Sequence, residues 1–194
     1  MGGADMSILT HSTSTALWHS IVHDAEKSCA IALKEDIESY LVFLLMRYTT
    51  KPEFIKHVIA LDFLENIQHT QKQHGLVLQE VGDTCLLFTG LYPKIAEKRL
   101  VKLSYFVNLG QAAYVRISKK SNDLYYSLGK QFVCLMDVLQ SIRQYSKEYP
   151  DLLPLQAYEQ WNDTGSQRAF SILQQYTHHS AAIPTLIDDI IKPS

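Results

Sequence analysis

The stretch Leu100–Ile142, LVKLSYFVNLGQAAYVRISKKSNDLYYSLGKQFVCLMDVLQSI, decides the fold. Leu100, Leu103, Val107, Gly110, Tyr114 and Ile117 recur at spacings of three and four. That period lines one face of an α-helix. Lys119-Lys-Ser-Asn122 then interrupts the apolar pattern. A second stripe follows, through Leu124, Leu128, Phe132, Leu135, Leu139 and Ile142. Two apolar seams joined by a short polar connection predict an antiparallel helical hairpin over Lys94–Tyr145. Folding it about Lys120 brings Gly110 and Gly129 to one level. Glycine inside a helix costs up to ~1 kcal/mol relative to alanine, so the pair predicts a close backbone approach there.

Working outward, the other segments are helical in period too. A first helix is expected over Thr15–Ala32, with Leu17, Ile21, Ala25 and Cys29 on its inner stripe. A second, Lys34–Tyr48, starts acidic, which suits the positive end of a helix dipole. It then turns apolar on every side from Leu41 to Met46, the mark of a central helix. Thr50, Pro52 and Glu53 form a start signal for a third helix through Phe54, Val58, Leu61 and Leu64. A fourth, Leu76–Thr89, is expected to stop at Gly90. Pro150 and Pro154 mark a loop before the short apolar element Leu155–Trp161. Asp163 or Thr164 then caps a last helix ending near His179, and Pro184 breaks the chain before Leu186–Ile191. No β-alternating run or hairpin turn competes. The expectation is an all-α single-domain bundle of about seven helices over residues 14–194, with residues 1–13 as a disordered or appended start.

The chain has 194 residues, 46% hydrophobic and 20% charged, which excludes disordered and low-complexity classes. The three cysteines, Cys29, Cys85 and Cys134, are odd in number and far apart, so they read as reduced thiols and point to the cytoplasm. The most apolar run, Tyr40–Met46, is too short for a membrane span. Phosphate-cradling glycine loops, nucleophile elbows and paired zinc cysteines are absent from the sequence. No catalytic residue and no cofactor are predicted.

Three constellations remain. The first is a metal trio: His19, His23 and Glu26 share one helical stripe. Surface or boundary histidines explain it better, so no metal is favoured. The second is a set of ionisable residues inside apolar runs. Asp137 interrupts Phe132–Leu139, Arg116 sits in Ala113–Ile117, Arg47 follows Leu44–Met46, and Asp83 precedes another apolar run. A buried carboxylate is costly unless paired. These residues are expected to pair inside the fold with the hydroxyls of Tyr105, Tyr114 or Tyr48. Such a network is either a satisfied piece of core or a ligand pocket near Asp137, and the former is preferred. The third is charge asymmetry. Tyr92–Lys120 holds seven basic residues against Glu97 alone, a net of +6, so the rest of the chain carries −8 to give its −2. Lys94, Lys98, Arg99 and Lys102 fall near one helix face, which suits an acidic protein partner or self-association. Few aromatic residues interleave there, so nucleic acid is a poor fit.

The segments YLVFLLMR (40–47), VGDTCLL (81–87), SYFVNLG (104–110) and FVCLMDVLQ (132–140) resemble a family of uncharacterised, all-helical proteobacterial proteins. That resemblance implies a bacterial cytoplasmic protein and assigns no functional residue. The function expected from the residues is a non-enzymatic protein-interaction or regulatory module. A small-molecule-binding protein or enzyme with a pocket near Asp137 is the alternative, and a metal-binding helical protein the third.

Overall fold

The computed structural model describes residues 5–50, 74–93, 101–121, 123–145 and 152–181. Among these the chain is all-helical, with no strand. The helices are α1 (Asp5–Cys29), α2 (Glu35–Thr50), α3 (His74–Leu91), α4 (Leu103–Ile117), α5 (Leu124–Lys130), α6 (Phe132–Gln144), α7 (Pro154–Thr164) and α8 (Gln167–Ala181). Their contacts divide the chain into two compact units, Met1–Tyr149 and Pro150–Ser194. The expected third helix (53–68), Lys94, Lys98, Arg99 and Leu186–Ile191 lie outside the described residues.

In the first unit α1 and α2 run antiparallel, pinned by Thr15 Oγ1 on Met46 Sδ at 3.6 Å and His19 Nδ1 against Glu38 Oε1 at 3.2 Å. α1 begins at Asp5, inside the stretch set aside as a start segment. Its inner stripe matches the expected one in part. Ala25 is buried as expected, with Val22 rather than Ile21 beside it, whereas Leu17 is 60% exposed. The helix stops at Ala30, whose φ of 54° is left-handed. Ile31 N–H reaches back to the Glu26 carbonyl at 2.9 Å, and Leu33 N–H to Glu26 Oε1 at 2.6 Å. This is the Schellman geometry, with alanine where glycine is usual.

The most enclosed helix is α3, not α2: every residue from Val81 to Gly90 is buried, whereas Phe43 in α2 is 60% exposed. Length of apolar run misled here. α3 achieves full burial with small residues. A Cβ on Gly82 would lie 2.5 Å from the Tyr114 ring, and one on Gly90 2.4 Å from Leu139 Cβ. Neighbouring helices therefore reach its backbone from two sides. This is also why α3 runs through Gly90 to Leu91 instead of ending there. Thr50 is the last residue of α2, and the helix it was expected to cap lies outside the described residues.

The hairpin over α4 and α5 forms as expected. Asp123 caps α5, accepting from Tyr126 N–H at 3.0 Å and Lys119 N–H at 2.9 Å. The second arm then parts at Gln131 (φ −99°, ψ 14°), and α6 packs chiefly on α3 and α1. The predicted inner stripe holds across that break: Leu128, Phe132, Leu135 and Leu139 are fully buried. The two glycines do not meet each other. Gly110 sits beneath the Phe132 ring and Gly129 against the Gln111 carbonyl and Val115. Each still marks a close approach, one turn apart, because the break at Gln131 redirects the second arm.

The second unit is a helical hairpin. Gly165, at φ 75°, ends α7 and donates to the Trp161 carbonyl at 2.7 Å. Ser166, rather than Asp163 or Thr164, caps α8 by accepting from Ala169 N–H at 3.0 Å. Trp161 and Phe170 face each other across the turn at 5.1 Å, over buried Ala157, Ala169 and Ile172.

Candidate functional site

Two features of the first unit carry chemistry. The inner one is centred on Asp83. This residue follows Gly82 in the enclosed part of α3, so its carboxylate is shielded from water and is 1% exposed. Oδ1 accepts from Tyr40 Oη at 2.5 Å and from Tyr114 Oη at 2.7 Å. Oδ2 pairs with the Arg47 guanidinium. Tyr40 and Arg47 are seven residues apart on α2, hence on one face of that helix. Gln79, one turn before Asp83, donates to Tyr40 Oη at 3.3 Å. The rings of Tyr40, Tyr114 and Tyr125 close a triangle with centroids 6.2–6.3 Å apart.

Burial pushes the Asp83 carboxyl above its ordinary range, against the lowering action of the two tyrosines and Arg47. The same burial, reinforced by the facing carboxylate, raises the hydroxyls of Tyr40 and Tyr114, so both stay protonated donors. A buried acid held by two hydroxyls and one guanidinium can bind or exchange a cation. It is not arranged to release a proton to a substrate.

The structure therefore brings together Asp83, Arg47 and Tyr114 of the expected network and leaves the others elsewhere. Tyr105 is 49% exposed, its ring edge-on to Phe106, and Arg116 is exposed, because both lie on the outer side of α4. Tyr48 shares a hydroxyl contact with Tyr92. Asp137 is fully buried but belongs to the contact between α6 and α1: its carbonyl accepts from Cys29 Sγ at 3.5 Å, and Cys29 also meets Ser141 Oγ at 2.8 Å. Burial raises the neighbouring Cys134 thiol, helped by Asp137. Sequence reasoning missed Tyr40, Tyr125 and Gln79. The heptad spacing of Tyr40 and Arg47 was the available signal.

The metal trio does not assemble. His19 is turned to Glu38 on α2, and Glu26 Oε1 is engaged by the Leu33 N–H, with Oε2 3.6 Å from His23. Among the described residues no group of three or more His, Cys, Asp or Glu side chains is placed to hold a metal ion.

The outer feature is the solvent side of the α4–α5 hairpin. Lys102, Arg116, Lys119, Lys120 and Lys130 are all exposed, and the only acid in residues 101–130 is Asp123. Its two oxygens are engaged by backbone N–H groups, which hold its carboxyl below the usual range. Lys130 sits 5.6 Å over the Tyr126 ring. Tyr105 and Val115 add exposed apolar surface to α4 near these cations. Of the four residues expected to form a basic face, only Lys102 lies among the described residues, and the structure adds four others. No helix among the described residues is long and apolar enough to cross a membrane. No family model matches the chain, and neither the curated proteins nor the solved structures hold a match.

Proposed function

We propose that the chain is a non-enzymatic protein-interaction module whose docking surface is the cationic side of the α4–α5 hairpin. One observation carries the reading: Arg116, Lys119, Lys120 and Lys130 are exposed there, and the single acid among them is engaged as a helix cap. A surface of one sign attracts the other and speeds encounter with it. Exposed Tyr105 and Val115 supply the apolar contact that a charge-only surface lacks, as interface centres require. The partner is accordingly an acidic protein surface with an apolar centre.

The test is a comparison of partners captured by the wild-type chain and by the triple variant Arg116→Glu, Lys119→Glu, Lys120→Glu. All three positions are exposed, so the variant keeps its helical circular dichroism and its unfolding midpoint. Its acidic protein partners are lost, and those of the wild type are released on raising the salt well above 0.15 M, where the Debye length falls below about 8 Å. Identical partner sets for the two proteins defeat the reading. Capture dominated by RNA, removed by nuclease, defeats it in favour of a nucleic-acid surface.

A further inference from the structure

Core ion pairs usually bury both partners, so that each charge satisfies the other out of water. The pair at Asp83 is lopsided. The Asp83 side chain is 1% exposed, whereas that of Arg47 is 48% exposed. The guanidinium enters the cluster from the surface while the carboxylate waits at the bottom. Around it stand three tyrosine rings, two of which fix the carboxylate through Oδ1 and leave Oδ2 turned to the incoming cation. Half-buried Tyr40, Gln79 and Tyr125 form the rim.

A fixed carboxylate under aromatic rings is the chemistry that recognises an organic cation: charge from the acid, quadrupole attraction from the rings, and a largely apolar wall. Orientation is set in advance, because the Tyr114 and Tyr40 hydroxyls hold Oδ1 whether or not Oδ2 is occupied. We infer that the Asp83 cluster is a binding site for a small guanidinium or primary-amine compound, and that Arg47 is its resident occupant, displaced outward when the ligand enters. Exchange is balanced in charge at Oδ2: the Arg47 guanidinium moves outward on its half-exposed side chain, and one cationic head of the ligand takes its place. The ligand's tail then follows the path of the Arg47 side chain to the surface. This site lies apart from the cationic docking surface and stands or falls independently of it.

The test uses the full chain, titrated with methylguanidinium and agmatine at millimolar concentration and constant ionic strength. Methylurea serves as a neutral probe of similar shape. Arg47→Met keeps the apolar stem and removes the resident cation. Its unfolding midpoint falls below that of wild type and rises again, saturably, with methylguanidinium but not with methylurea, as linkage requires for a ligand bound only to the folded state. The wild-type chain binds agmatine saturably too, at least tenfold more weakly than Arg47→Met because Arg47 competes. Asp83→Asn binds neither. Two results overturn the proposal. One is a folded Arg47→Met that shows no saturable response. The other is a response confined to Arg47→Met with none in wild type, which makes Arg47 a permanent part of the core. Should Arg47→Met fail to fold, the wild-type titration decides alone: saturable agmatine binding that methylurea cannot reproduce supports the site, and its absence removes it.

Discussion

Gly82→Ala is expected to damage the Asp83 cluster without touching any of its polar atoms. The new Cβ would lie 2.5, 2.6 and 2.8 Å from Cε1, Cδ1 and Cζ of Tyr114. Carbon atoms settle at about 3.5 Å or more, so the ring must retreat by ~1 Å. It is completely buried and its hydroxyl is held on Asp83 Oδ1 at 2.7 Å. A retreat of that size stretches the bond to roughly 3.7 Å, beyond hydrogen-bonding range. Overpacking costs about 1–3 kcal/mol. Losing a hydrogen bond to an ionisable group adds about 1.5–3 kcal/mol, and the better helix propensity of alanine returns up to ~1 kcal/mol. The net loss is about 1.5–6 kcal/mol, which in a unit of this size lowers the unfolding midpoint by roughly 3–25 °C. Gly75→Ala, where nothing lies within 4 Å of the added Cβ, is the control and stays near neutral. A double-mutant cycle sharpens the assay. Tyr114→Phe alone removes the same hydrogen bond, so in the Gly82→Ala background it costs little more. A neutral Gly82→Ala, or strict additivity with Tyr114→Phe, refutes the coupling between α3 packing and the carboxylate.

Ala30→Gly should stabilise the chain by about 1 kcal/mol, because Ala30 holds a φ of 54° that glycine adopts freely; urea unfolding of the two proteins checks it, and an unchanged midpoint counts against the strained cap. Acidity tests Asp83. Its folded carboxyl lies above the ordinary value of 3.8, so the folded state holds the proton more tightly, and this contribution to stability is complete below that value and lost as pH rises through the raised one. Unfolding free energies followed across pH should therefore show wild type losing ground to Asp83→Asn on that climb; a difference of opposite slope contradicts the sign. The Cys85 thiol, pushed up to about 12 by burial, should stay unlabelled by a thiol-disulfide reagent at pH 8 until the chain unfolds, and rapid labelling of Cys85 in the folded protein counts against its enclosure.

The α4–α5 hairpin was legible because its apolar period runs unbroken on both arms and a polar connection separates them. The break at Gln131 was not, since Gly129-Lys-Gln131 leaves the period intact and the bend is decided by which helix α6 meets. The central helix was misplaced for a related reason. The longest apolar run lies in α2, but enclosure depends on how closely neighbours approach, and Gly82 and Gly90 give α3 that closeness. Half the polar cluster could be read from single residues stranded in apolar runs: Asp83 and Arg47 both break such runs, and Tyr114 lies on a predicted inner stripe. Asp137 and Arg116 break runs in the same way, yet neither joins the cluster at Asp83. Asp137 is buried where α6 packs on α1 and Arg116 is exposed, because the facing of a single helical residue depends on neighbours that local pattern does not specify. Tyr40 escaped notice because a tyrosine in a hydrophobic stretch carries no cost until a carboxylate is set opposite it.

α4 ties the two chemical features together. Tyr114 points inward to Asp83, and the next two residues, Val115 and Arg116, are exposed on the cationic side. Val115 is also what Gly129 packs against, so the seam between α4 and α5 is set by the same turn of helix. A ring pushed off Asp83 therefore cannot move alone. It carries the backbone that seats Val115 against α5 and aims Arg116 at solvent, because close-packed interiors transmit displacement rather than absorb it. Cation exchange at Oδ2 leaves Tyr114 seated on Oδ1, so it is a ring pushed off the carboxylate, not an occupied site, that disturbs α4, the helix presenting the docking surface. Gly82→Ala offers the direct check. It should weaken capture of acidic partners although it leaves every surface charge in place, and undiminished capture by a folded Gly82→Ala protein would show that the core cluster and the outer face act separately.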